Sequence, residues 1–132
     1  MSNNCESKLI FKKYIVKDIM FEYNEEYTEN TAKLNFDINQ NIEYIEKNMI
    51  VTLNVNICNN SVENNYPFKM SVVVKGFFEI EKNEEDINYE PNAIAILYPY
   101  VRALVTNYTA NANIMPVVLP AINVNKLLGN EK

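Results

Sequence analysis

Two hydrophobic periods follow one another along this chain, and a sheet covered by a helix is the arrangement that accommodates both. Up to Val74 apolar and polar residues mostly alternate; from Ile94 the apolar ones recur at three and four residues. In residues 32–38, Ala32, Leu34, Phe36 and Ile38 share one face. In residues 49–57 the row is Met49, Val51, Leu53, Val55 and Ile57, and after the turn chemistry of residues 58–65 it is Phe68, Met70, Val72 and Val74. Gly76 inside that last strand marks a bulge or a close backbone approach. The first run, residues 9–23, keeps its apolar row only by changing parity twice, at Lys12-Lys13 and Lys17-Asp18, so bulges are predicted there. Residues 39–47 are less regular and read as a loop or a continuing edge. Strands in succession with short polar links predict an antiparallel meander with one face half exposed.

The helical pattern takes Ile94, Leu97, Tyr98, Val101, Leu104, Val105 and Tyr108, with Pro91 fitting the first turn. Pro99 lies mid-pattern and predicts a kink or break, costing ~3 kcal/mol if uncompensated. Ala95, Ile96 and Ala103 make the helix apolar nearly all round. One side can cover the sheet, and the other asks for a second partner, most economically another copy of the chain. After it runs an apolar connection bracketed by Pro116 and Pro120, then one or two helical turns stopping at Gly129. The predicted fold class is α+β, a four-stranded antiparallel sheet with one long kinked helix and a short C-terminal helix on one face. The expected division is one domain over residues 1–132. Within it residues 1–7 are polar and frayed, 8–80 sheet, 90–112 helix, 113–122 connection and 123–128 short helix.

Composition removes several functions. The chain has no His, which excludes Ser-His-Asp and Cys-His nucleophile systems and the commonest zinc ligand. With no Gly-rich loop and no metal-ligand cluster either, an enzyme is the least expected reading and no cofactor is implied. Two Cys, Cys5 and Cys58, are too few for a disulfide framework. A net charge of −5 disfavours a nucleic-acid surface. No apolar run reaches the ~20 residues of a membrane span, and the start MSNNCESK lacks a secretory apolar core, so no membrane insertion and a cytoplasmic protein are expected. What the composition leaves is apolar side chains in a connecting segment, where polar ones are usual: Ile114, Met115, Val117 and Val118. Flexible, polarizable Met suits promiscuous apolar contact.

Four blocks, in order, resemble the SecB-type protein-export chaperones. Pro91-Asn92 followed by Tyr98-Pro99-Tyr100-Val101-Arg102 is similar to the family's Pro-Asn and Phe-Pro-Tyr-Ala-Arg helix signature. Leu119-Pro120-Ala121-Ile122-Asn123-Val124 resembles its Leu-x-Pro-Val-Asn-Phe segment. Residues 14–22, YIVKDIMFE, resemble its first strand with one residue inserted, and Gly76-Phe77-Phe78 its Gly-Ile-Phe strand. The resemblance implies dimers formed through first strands, paired into tetramers through the long helix, and an ATP-independent holdase for unfolded or nascent polypeptides along apolar grooves. It implies an assembly contact at Tyr14, Val16, Leu97, Tyr100, Val101, Leu104 and Val105. Asp18 and Glu22 match the acidic patch that docks the SecA motor, while Lys69 and Ser71 stand where the family tends to have an apolar and an acidic residue. The loop of residues 111–116 lacks the family's Gly and is expected to be stiffer, and the final helix is expected to be short.

The candidate client groove comprises Tyr23, Tyr27, Leu34, Phe36, Tyr66, Phe68, Met70, Ile114, Met115, Val117 and Val118. Leu34, Phe36, Phe68 and Met70 read equally as sheet core under the helix. Arg102, on an apolar helix face, is expected to cap an acidic neighbour or pack its stem. Export and the holding of an antitoxin are both compatible roles. A dedicated adaptor for one partner and a carrier of small hydrophobic ligands remain as alternatives.

Overall fold

A computed structural model describes residues 8–27, 34–58, 66–81 and 87–129. The expectations for residues 1–7, including Cys5, for Ala32, for the turn residues 59–65 and for the charged residues 82–86 lie outside these. Four strands, β1 (Leu9–Tyr23), β2 (Phe36–Ile45), β3 (Asn48–Ile57) and β4 (Phe68–Ile80), precede α1 (Glu90–Asn111) and the short α2 (Val124–Leu127).

The sheet is antiparallel throughout, in the order β1-β4-β3-β2. The predicted meander therefore holds only for β2, β3 and β4, and β1 pairs with β4 across the sequence in a Greek-key order. Adjacent alternating runs look alike whichever neighbour they pair with, so the alternation could not give this. Residues 39–47 resolve as a continuing edge strand and a two-residue turn, with Ile45 opposite Asn48. Glu46 takes a φ of 55° there, without the Asn-Gly chemistry that flags such turns in a sequence.

The bulges fall where the parity changes. The β1–β4 register slips between Phe11 and Lys13 and again between Val16 and Asp18. Each extra residue returns the apolar row to the helix side. Phe11, Tyr14, Val16, Ile19 and Phe21 thus stand opposite Phe78, Gly76, Val74, Val72 and Met70. Gly76 itself is not bulged; it is a close approach. A Cβ there would lie 2.9 Å from Leu97 Cδ1 and 3.0 Å from Phe78 Cε1.

The core lies between sheet and α1. Met49, Val51, Leu53, Val55 and Ile57 of β3 and Phe68, Met70, Val72, Val74 and Phe78 of β4 are buried, against Ala93, Ile94, Leu97, Tyr98, Val101 and Val105 of α1. At ~1.5–3 kcal/mol for each large side chain removed from water, this double row dominates the stability. α1 starts with Pro91 in its first turn and the Glu90 N–H donating to Asn88 Oδ1 at 3.1 Å. It runs unbroken through Pro99. Pro99 and the residue four before it, Ala95, are both exposed, so the Ala95 carbonyl deprived of its helical donor faces water.

α1 is not buried on both sides. Leu97, Val101 and Val105, expected at the assembly contact, have no exposed surface and belong to the core of their own chain. Tyr100 is 41% exposed, half-buried Leu104 packs against the margin of that core, and Tyr14 and Val16 on β1 are also exposed. The rings of Tyr14 and Tyr100 meet at 4.7 Å and those of Phe11 and Tyr100 at 5.5 Å. This aromatic ladder continues the sheet-helix seam outward to solvent.

Candidate functional site: an apolar groove under a strapped loop

After α1 the chain turns back along the helix it has just left. Thr109 Oγ1 donates to the Val105 carbonyl at 2.8 Å, and Asn113 adopts a φ of 62° just beyond the helix end. A left-handed residue at this position usually is Gly; Asn takes it at small cost, which is how a loop without Gly still reverses here.

Residues 114–123 are then held to α1 by side chains spaced along one helix stripe. The Tyr98 hydroxyl donates to the Pro120 carbonyl at 2.6 Å, and Arg102 Nε to the Leu119 carbonyl at 2.9 Å. Thr106 Oγ1 donates to the Val117 carbonyl at 2.7 Å, and the Val117 N–H donates back to Thr109 Oγ1 at 2.8 Å. Among the described residues Arg102 thus caps no acidic neighbour; it holds a backbone carbonyl. Burial pushes the Tyr98 phenol up, and the Arg102 charge pulls the other way. The strap ends in α2, where Asn123 Oδ1 accepts the Lys126 N–H at 3.0 Å and Gly129 takes a φ of 78°.

Between strap and sheet lies an open groove of about 580 Å³, lined by Tyr27, Leu34, Phe36, Ile57, Pro67, Phe68 and residues 114–120. The floor is nearly closed, since Ile57, Phe68 and Leu119 expose 2% or less. The rim is open: Met115 is 86% and Val118 69% exposed. Apolar side chains held this far into water while the backbone of their neighbours Val117 and Leu119 is bonded to α1 mark a contact surface.

Eight expected residues line this groove: Tyr27, Leu34, Phe36, Phe68, Ile114, Met115, Val117 and Val118. Three lie outside it. Met70 is fully buried in the core. Tyr23, on β1, is exposed away from the groove. The Tyr66 carbonyl accepts Asn24 Nδ2 at 2.8 Å, and its ring lies 4.8 Å from Lys69 Nζ. Ile57, Pro67, Pro116, Leu119 and Pro120 were missed. The two prolines were legible as brackets of the apolar run; Ile57 and Pro67 come into place only when β3, β4 and the strap meet.

Asp18 and Glu22 share the sheet face turned away from α1, opposite Val73 and Lys69. Both are exposed. The Cys58 thiol is buried and pushed up by that burial, which makes it a poor nucleophile. Among the described residues no group of three or more His, Cys, Asp or Glu could hold a metal ion, and no helix is long and apolar enough to cross a membrane.

A four-stranded antiparallel sheet carrying one long and one short helix, with an apolar strap folded back on the long one, is a SecB-like fold. The chain belongs to the SecB family: the family described as Preprotein translocase subunit SecB matches residues 2–132. An uncharacterised Methanocaldococcus jannaschii protein is 42% identical over 130 residues, covering 92% of this chain and 83% of its own. Among solved structures, a Mycobacterium tuberculosis SecB-like chaperone in complex with a ChAD peptide from the HigA1 antitoxin superposes with a TM-score of 0.62 at 16% identity, over 87% of this chain and 91% of its own. A Streptococcus agalactiae protein of unknown function superposes with a TM-score of 0.52 at 20% identity, over 86% and 97%.

Proposed function

We infer that this protein is an ATP-independent holdase of the cytoplasm that binds unfolded or nascent polypeptides in the groove between β2, β4 and the strap. The observation that carries this is the rim, where Met115 and Val118 stand in solvent above a floor that is already packed. Such a surface gains ~25 cal/mol for each Å² of apolar area it covers. A folded protein has little matching surface left to offer, so exposure itself selects the client. Several grooves acting on one chain raise a weak contact to useful affinity. The ladder of Phe11, Tyr14 and Tyr100, with Val16 and Leu104 beside it, is the surface we assign to assembly into a dimer of dimers.

Export is the pathway the family description favours, with Asp18 and Glu22 as the acidic contribution to a SecA contact. Lys69 opposite Glu22 dilutes that acidity. The antitoxin peptide bound to the M. tuberculosis neighbour favours a second reading, a chaperone dedicated to one partner.

The test is binding of the purified protein to one chemically unfolded, non-cognate polypeptide, with the folded form as control. Binding to the unfolded form alone is expected, and Met115→Asp is expected to weaken it ~10-fold or more while leaving the melting temperature unchanged, because the site is exposed. A folded Met115→Asp protein with full binding would remove the groove from the mechanism. Absence of binding by the well-folded native chain would sink the general holdase and leave the dedicated one.

A further inference from the structure

The described methionines divide by exposure. Met49 and Met70 expose no surface, Met20 is 40% exposed and Met115 86%. Met20 stands opposite Ser71 on the sheet face turned away from α1, outside the groove lining. Met115 stands on the groove rim. The thioether most open to solvent among these four is therefore part of the contact surface itself.

A thioether gives its sulfur lone pair to electrophilic oxygen, and access decides which thioether does so first. A small oxidant reaches Met115 from bulk water. It reaches Met49 and Met70 only if the sheet parts from α1, because both belong to the core between them. The strap is also held in a way that spares this position. Its side-chain bonds to α1 begin at Val117, through Thr106 and Thr109, and continue at Leu119 and Pro120. A change of polarity at Met115 therefore alters the rim and leaves the ladder in place.

We propose that Met115 is an oxidation site through which a peroxide turns the groove off. The Met115 sulfur attacks one oxygen of hydrogen peroxide; the S–O bond forms and the O–O bond breaks. The departing hydroxide takes the proton from the new S–OH group and leaves as water. Sulfur is oxidised by two electrons and the peroxide is reduced by two. The product is a sulfoxide, which is polar and holds water. The side chains beside it, Ile114, Pro116, Val117 and Val118, offer it no donor, so a client that covers it strips that water without replacing the bond. A methionine sulfoxide reductase reverses the step, with a dithiol oxidised to a disulfide and the oxygen leaving as water. This rests on the holdase reading and adds a chemical off-state to it.

The test treats the full chain with dilute hydrogen peroxide and then with dithiothreitol, which returns oxidised thiols and leaves sulfoxides. Peptide mass mapping follows each methionine. Binding to one chemically unfolded polypeptide is read by calorimetry before and after treatment, each variant against itself. Met115 is expected to gain oxygen ~2-fold or more ahead of Met20, as their exposures imply, while Met49 and Met70 stay unreacted in the folded chain. Affinity is expected to fall ~10-fold or more at an unchanged melting temperature, and to return with methionine sulfoxide reductases of both epimer specificities. Met115→Leu cannot form the sulfoxide, so peroxide should leave its affinity where it stood before treatment. Met20→Leu should lose affinity on treatment as the native chain does. Met115→Gln, polar and of similar length, should bind ~10-fold or more weakly with no oxidant present. Met20 reacting ahead of Met115 overturns the proposal. Full affinity in the Met115 sulfoxide, or a peroxide effect that survives in Met115→Leu, overturns it and leaves the holdase standing. Failure of the untreated native chain to bind the unfolded polypeptide overturns the holdase reading, and the switch along with it.

Discussion

Thr109 is the hydroxyl on which the groove wall turns. It is fully buried, donates to the Val105 carbonyl and accepts the Val117 N–H, both at 2.8 Å. Thr109→Val keeps the shape and removes both bonds. The lost bonds are worth ~0.5–1.5 kcal/mol each, and a Val117 N–H left buried without an acceptor costs ~1–3 kcal/mol. The strap need not endure the full sum. It can lift from α1 and let water reach Val117, so the cost is capped by the free energy of that local opening. We therefore expect a global loss of ~1–2 kcal/mol, and a rise in strap opening of ~5–30-fold at equilibrium. Urea unfolding gives the first quantity. Native-state amide exchange at Val117 gives the second. Both are compared at one protomer concentration, because assembly adds to apparent stability. Thr109→Ser retains the hydroxyl and should recover most of the exchange protection, while losing some packing. If Thr109→Val unfolds within ~0.3 kcal/mol of the native chain and Val117 exchanges unchanged, the strap is held by something other than this ladder.

Gly76→Ala should destabilise by ~1–3 kcal/mol, because the new methyl meets the fully buried Leu97 side chain and forces it to shift; an unchanged melting temperature would refute the close approach. Tyr100→Asp should leave the fold within ~0.5 kcal/mol yet lower the assembly mass seen by light scattering, and an unaltered mass would move the contact away from the aromatic ladder. Tyr44 donates to the Glu90 carboxylate at 2.5 Å, and burial, followed by that bond and the Glu90 charge, raises its phenol above the ordinary tyrosine value. The folded value is the raised one, so this contact is intact below the range of free tyrosines and is lost only as pH rises through the folded value. A spectrophotometric titration of the native chain minus that of Tyr44→Phe should place this residue's ionisation above the ordinary tyrosine value; ionisation at the ordinary value would refute the bond.

Much of the site could be read from residue types and spacing. Ile114, Met115, Val117 and Val118 stood out because apolar side chains rarely fill a connection, and all four line the groove. Met70 was misplaced for an understandable reason: strand alternation says which residues share a face, and Phe68 and Met70 do share one. Only the position of the strap along that face decides that Phe68 meets the groove and Met70 the core. Leu97, Val101 and Val105 were misassigned for the related reason that a helix apolar nearly all round does not announce which stripe its own sheet takes.

Residue order alone sets the periods, and with them the elements: four alternating runs, a long helix, and both bulges of β1, because one inserted residue must flip every side chain after it. A chain without His also lacks the parts of a Ser-His-Asp or Cys-His system. Tertiary structure decided what the periods leave degenerate. Pairing of β1 with β4 is a long-range contact that no local pattern encodes. The same holds for the ladder from Tyr98, Arg102, Thr106 and Thr109 to the strap, in which helix spacing meets backbone carbonyls of a segment that has no period of its own. Local periodicity fixes faces; only packing fixes which faces meet.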